Sequence, residues 1–237
     1  MSLHRGPTLP YSLIAGVTPC GPGWLVQAAK IKGATFAPEK PRVDETFLEV
    51  LTERPAFEIV VVNAPIGYLD TPDKGARTCD GEARSLVGAR RGGSIHNAPS
   101  RAVLDGLIDW REANLDTVTR TLLPRYREVA KEMSPFRQRL VYEGHPELSF
   151  YQLNKDTPMQ RSKKVVPGRD ERLEVLATHL PGIEQVFEAD LNGVAVKHVY
   201  DGLALLWTAR RVWGHAARRI PVEPEWDSEG LRMEFVY

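Results

Sequence analysis

Glu143, His145 and Glu147 lie within five residues of one another in the stretch RLVYEGHPELSFYQL, Arg139 to Leu153, where an apolar run (Leu140-Val141-Tyr142) gives way to a helical pattern. Pro146 cannot continue a strand ladder and suits the first turn of a helix. The sequence therefore predicts two carboxylates and an imidazole crowded at the carboxyl end of a strand, the place where α/β proteins carry their chemistry. Such a set can bind a metal or move a proton. The competing reading is a surface turn with solvated charges.

Three other places carry the same promise. Asp201 falls inside GVAVKHVYDGLALLWTARRVW, where Val196, Val199, Leu203, Leu206, Ala209 and Trp213 recur at helical spacing. A carboxylate in so apolar a helix must be paired, bound to a cation or protonated, because burying a bare charge is costly. Asn63 follows the β-branched run Ile59 to Val62 at a second strand tip. The passage from Asp70 to Arg101 is dense in arginine (Arg77, Arg84, Arg90, Arg91) and carries Gly92-Gly93-Ser94; with Lys163 and Lys164 it offers the guanidinium, ammonium and backbone donors of a phosphate cradle. Solvated loop and helix-surface charges account for the same residues equally well.

Elements that can position these groups follow in order. Ser12 to Thr18 and Gly23 to Ile31 read as a hairpin around Pro19-Cys20-Gly21-Pro22, and GATFAPEKPRV reads as an edge strand. A helix capped by Asp44 comes next, then the buried strand Ile59 to Val62, a helix from Thr78 to Val87 stopped by Gly88, one over about Leu104 to Thr121, and one starting near Leu123-Pro124. After the Glu143 strand come a Pro-Gly turn, a helix with Leu173, Leu176 and Leu180 on one face, the Asp201 helix, and a final strand in LRMEFVY. Strands alternating with helices behind an antiparallel hairpin predict an α/β fold, and no linker or repeat divides residues 1–237, so a single domain is expected. Trp24, Trp207 and Trp213 are assigned to the core and Cys79 to an inert helix position, which leaves no arrangement for a serine or cysteine hydrolase.

Composition narrows the partners. Lysine plus arginine equals aspartate plus glutamate at 31 each, so any anionic partner must be held by a local patch rather than by a global field. Cys20 and Cys79 are too few for a disulfide framework or a four-thiolate zinc site. The start, MSLHRGPTLPYSL, lacks the pattern of a secretory signal, and no apolar run approaches the roughly 18 residues of a membrane span. A cytoplasmic protein with no membrane partner is expected.

Seven segments in order, GVTPCGPGW, NAPIGYL, RTCDGEARSLVGARRGGSIHNAPSR, LLPRYREV, YEGHPELSF, SKKVVPGRDERL and YDGLALLWTARR, make the chain resemble a family of bacterial and archaeal proteins described as predicted RNase H-like nucleases. The resemblance implies an RNase H-like mixed sheet flanked by helices, with acidic residues at its centre that hold Mg²⁺ or Mn²⁺ for phosphodiester hydrolysis. Glu143 and Asp201 stand at two of the family's acidic positions. Thr18 and Asn63 stand where the family has aspartates, and Lys197-His198 replaces a pair of acids before Asp201. These changes make the site less acidic and weaken its hold on a dication.

Two readings follow. In one the chain is a metal-dependent phosphodiesterase acting on nucleic acid. Glu143, Asp201 and Asn63 are then catalytic, Thr18 completes the Mg²⁺ or Mn²⁺ ligands, His145 and Glu147 position water, and Arg77, Arg84, Arg90, Arg91, Ser94, Lys163 and Lys164 hold phosphates. In the other it needs no cofactor, has lost a productive metal site, and binds nucleic acid or a phosphate-containing small molecule through the same cradle.

Overall fold

Leu13, Ala15 and Val17 alternate with Ile14 along β1 (Ser12–Pro19), and the two sets are buried in different cores, so both faces of this strand are covered. The turn Cys20–Gly23 reverses the chain into β2 (Trp24–Lys32), antiparallel to β1 from Ser12↔Ile31 to Pro19↔Trp24. The edge segment forms two short strands, β3 (Thr35–Pro38) and β4 (Arg42–Asp44), which both pair with β2. Asp44 is thereby a strand residue opposite Trp24, and helix α1 (Phe47–Thr52) is capped by Thr46, whose side chain accepts from the Glu49 N–H, rather than by Asp44. The computed structural model describes residues 10–237; the Pro-rich lead, where no secretory signal pattern is expected, lies outside them.

Strand β5 (Ile59–Val62) lies parallel to β1, and β6 (Val141–Glu143) lies parallel to β5. The sheet order is β3-β2-β1-β5-β6. Between β5 and β6 run α2 (Thr78–Gly92), the short α3 (Arg101–Leu104) and α4 (Thr117–Glu132). Gly88, at φ 69°, breaks α2 as expected, yet helical geometry resumes to Gly92. The helix expected over Leu104 to Thr121 does not form. Gly106 and Asn114 take positive φ in an irregular segment, and Asp116 caps a single helix that carries Pro124 in its interior. Propensity misplaces this boundary because Ile108 and Leu115 keep helical spacing with Leu104, the last residue of α3, while packing from a loop.

The rest is α5 (Pro146–Leu153), α6 (Val166–His179), α7 (Val196–Trp213) and the antiparallel hairpin β7 (Arg219–Trp226) and β8 (Arg232–Val236). Pro167 and Gly168 form the first turn of α6 instead of a turn before it, and Leu173 is partly exposed whereas Leu176 and Leu180 are buried. Helices α5, α6 and α7 cover one face of the sheet; α1, α3 and α4 cover the other. Trp24 and Trp207 are buried and Trp213 is half-buried against the α7 core. No helix among the described residues is long and apolar enough to cross a membrane.

One close approach sets the position of Asp201. A Cβ at Gly16 would lie 2.2 Å from the Leu206 nitrogen and 2.3 Å from the Gly202 oxygen, so α7 rests its backbone directly on β1. Asp201, one residue before Gly202, is thus fixed beside the carboxyl end of β1.

Candidate functional site

At the carboxyl ends of β5 and β6 a cleft of about 310 Å³ opens between the two helical layers, with Asn63, Glu143 and His145 among its lining residues. Its position follows from the topology: parallel strands present the loops after their carboxyl ends on one edge, between helices packed on opposite faces. A larger hollow of about 760 Å³ lies at the other end of the same strands, against Ile59, Tyr142 and Trp213, and none of the candidate catalytic, metal or phosphate-binding residues lines it.

Of the four candidate ligands Thr18, Asn63, Glu143 and Asp201, Asn63 and Glu143 line this cleft, whereas Thr18 and Asp201 are not among its lining residues. Thr18 shares a face of β1 with Ile14 and Gly16, the face covered by α7, and its hydroxyl accepts a 3.3 Å hydrogen bond from the Asn63 amide. Asp201 arrives from α7 on that side and is held by Lys163, whose Nζ is 2.6 Å from both Oδ1 and Oδ2. Glu143 follows Val141 at the strand period, and Val141 lies in the opposite core. Its Oε1 and Oε2 receive Arg77 Nη2 and Nη1 at 2.6 and 2.9 Å, and Oε2 also accepts from the Ile66 N–H. Burial pushes the Glu143 carboxyl above its ordinary range, and the guanidinium pulls it back.

Arg77 is a hub. Besides Glu143 it donates to the Gly67 carbonyl at 2.9 Å and, in a second fork, to Asp80 at 2.7 and 3.2 Å. Asp80 in turn accepts the Ala98 N–H. One buried guanidinium therefore ties the start of α2, the loop after β5 and the loop before α3 to the tip of β6. This corrects the expectation that Arg77 is free to hold phosphate: its donors are spent inside the protein. The residue the sequence reading missed is Asp80, whose i,i+3 spacing from Arg77 was the available signal.

Other expected site residues divide. Ser94 and Lys164 line the cleft together with Lys163. Arg84 donates to Asn97 at 2.6 Å, Arg91 donates to the Arg161 carbonyl, and Arg84, Arg90 and Arg91 all lie off the cleft lining. Glu147 is buried and forms a 2.7 Å ion pair with the fully buried Arg172, away from the cleft, so it is poorly placed to position water there. His145 caps α5: Nδ1 accepts from the Glu147 N–H and Nε2 donates to the Ser94 carbonyl. Burial, with Lys163 nearby, holds its pKa down to about 4, so the ring is neutral near pH 7. Burial likewise lowers His198, which removes one of the two cations read there, while Lys197, one turn before Asp201, lines the cleft. The Cys79 thiol is buried and pushed up by desolvation, as suits an inert position.

The donor set does not fit Mg²⁺ or Mn²⁺ as it is arranged. Both oxygens of Glu143 and both of Asp201 are engaged by cations of the chain, and the neutral donors Thr18 and Asn63 bond to each other. Among the described residues no group of three or more His, Cys, Asp or Glu side chains is arranged to hold a metal ion.

A mixed sheet of this order, with two parallel strands after an antiparallel hairpin and a late helix laid on the first strand, defines an α/β protein of RNase H-like type. The chain belongs to the family described as Protein of unknown function (DUF429), whose model matches residues 16–226. No curated protein and no solved structure matches it. The family description carries no activity, so function rests on the site.

Proposed function

We propose that the cleft beside Asn63 and Glu143 binds a phosphate-bearing ligand and does so without a divalent ion. The observation that carries this reading is the distribution of cations. Arg77 and Lys163 neutralise Glu143 and Asp201 from within, while Lys164 and Lys197 border the same cleft with no carboxylate partner among the described residues. A site whose acids are already matched by its own cations has little left to attract a dication, and its two spare ammonium groups attract an anion. Ser94 supplies a hydroxyl donor beside them. Cytoplasmic residence belongs to the same reading, since Cys20 and Cys79 are both buried and unbridged.

Calorimetric titration of the full chain in EDTA with phosphate-bearing probes tests this. Binding that weakens with added salt is expected, together with a loss of about 5- to 10-fold in affinity for each of Lys164→Ala and Lys197→Ala, the effect of removing one partly solvated charge. Binding that appears only when Mg²⁺ is present would overturn it.

The second reading, a metal-dependent phosphodiesterase, is favoured by the placement of Glu143 at a strand tip and Asp201 on the helix beside β1. Cleavage of RNA or DNA in Mg²⁺ or Mn²⁺ that disappears in both Glu143→Gln and Asp201→Asn would establish it in place of the first.

A further inference from the structure

The two sides of the cleft differ in chemistry because they come from opposite faces of the sheet. Lys163, Lys164 and Lys197 stand on the α6 and α7 side. From α4, on the other face, come Val118, Leu122 and Tyr126, joined by Pro65 from the loop after β5. Val118 is 45% exposed, a β-branched side chain left open to solvent at the mouth of a polar cleft. An inorganic anion uses only the lysine side and leaves this apolar surface wet. A ligand with an anionic head and a flat or apolar body uses both.

We infer that the ligand class is a nucleoside monophosphate, with its phosphate monoester against Lys164 and Lys197 and its body against Val118 and Leu122. This rests on the phosphate-binding reading above and adds the body of the ligand and its end group. Charge supports the monoester: two ammonium groups without carboxylate partners match the two negative charges of a terminal phosphate, whereas each internal phosphodiester carries one. The floor fixes the orientation. Arg77 has its donors engaged by Glu143, Asp80 and Gly67 and offers the phosphate none, so that end is left to the neutral part of the ligand. Size agrees, since about 310 Å³ falls at the small-molecule end of ligand pockets.

The test is calorimetry on the full chain in EDTA with five probes: AMP, inorganic phosphate, adenosine, and a short single-stranded DNA with and without a 5′-phosphate. AMP is expected to bind at least about tenfold tighter than either phosphate or adenosine, a difference of about 1.4 kcal/mol. Val118→Ser, at an exposed position, and Leu122→Ser are each expected to shrink that margin while leaving the affinity for inorganic phosphate within about twofold, as a hydrophobic contact should. Equal affinity for AMP and inorganic phosphate would overturn the ligand class and leave the phosphate-binding reading standing. Tighter binding of the oligonucleotide, whether or not it has a 5′-phosphate, would replace the monophosphate by a strand. Failure of every anion to bind would remove both.

Discussion

Arg77 lays its guanidinium along the Glu143 carboxylate, Nη2 to Oε1 at 2.6 Å and Nη1 to Oε2 at 2.9 Å, with both side chains 2% exposed. A planar fork meets a planar carboxylate, the geometry in which a guanidinium is most specific. The Arg77 charge sits against the buried acid at the tip of β6, and it comes from a residue 66 positions away in sequence.

Removing this cation should be costly. Arg77→Met leaves Glu143 and Asp80 buried without a countercharge and should lower the urea-unfolding free energy by about 3–5 kcal/mol. Arg77→Lys should recover little, because one ammonium cannot reach Gly67, Asp80 and Glu143 together. Adding Glu143→Gln to Arg77→Met should cost less than the sum of the single changes, and strict additivity would show that the pair is not coupled.

Gly16 gives an independent test of how Asp201 is placed. A methyl group there meets the α7 backbone at 2.2 Å, and backbone cannot rotate away. Gly16→Ala should therefore destabilise by about 1–3 kcal/mol or more, as overpacking does, and should disturb the Asp201–Lys163 pair. A thermal midpoint unchanged from that of the parent would contradict the close packing of β1 and α7.

Acid should weaken the fold partly through His145. Its pKa is about 4 in the folded chain, against an ordinary 6.5. As pH falls through 6.5 the unfolded chain takes up a proton that the folded chain refuses until about 4, so this contribution is intact above 6.5 and is lost between 6.5 and 4. Its size is at most about 3 kcal/mol, reduced by the solvent that reaches the half-buried ring. His198, also lowered, acts in the same direction. Urea midpoints at pH 7 and 4.5 should converge more in His145→Gln than in the parent; an identical pH dependence in both would exclude His145 as a source.

Glu147 and Arg172 form the second buried pair, unconnected to the cleft. Arg172→Met alone should cost about 3–5 kcal/mol, and the double change Arg172→Met with Glu147→Gln should regain much of it, since a neutral pair leaves no stranded charge. Ligand affinity should not move in the double variant; a large change would bring Glu147 back to the site.

The strands and most helices were legible because their signals are local. Ile59 to Val62 could only be a covered strand, and Pro146 marked the first turn of α5. Asp201 inside an apolar helix demanded a partner, and Lys163 is that partner. The partners themselves were not legible. Asp80 three residues on is the one local sign that sets Arg77 apart from Arg84 and Arg91, and its pairing with Glu143 comes from the topology that folds α2 against the tip of β6. For the same reason a run of basic residues read as one cradle divides into a buried hub, loop-pinning arginines, a lysine spent on Asp201 and Lys164, which lines the cleft. Lys197 was visible only as a departure from an acidic pattern, and its place beside Lys164 depends on how α7 packs.

The most direct measurement is a Mn²⁺ titration of the full chain, followed by calorimetry and by the electron paramagnetic resonance of free Mn²⁺. With Arg77 and Lys163 in place, the protein is expected to show no saturable site tighter than about 1 mM, roughly 4 kcal/mol of binding free energy. A stoichiometric, tighter site that vanishes in Glu143→Gln and in Asp201→Asn would contradict the account and return the cleft to metal chemistry.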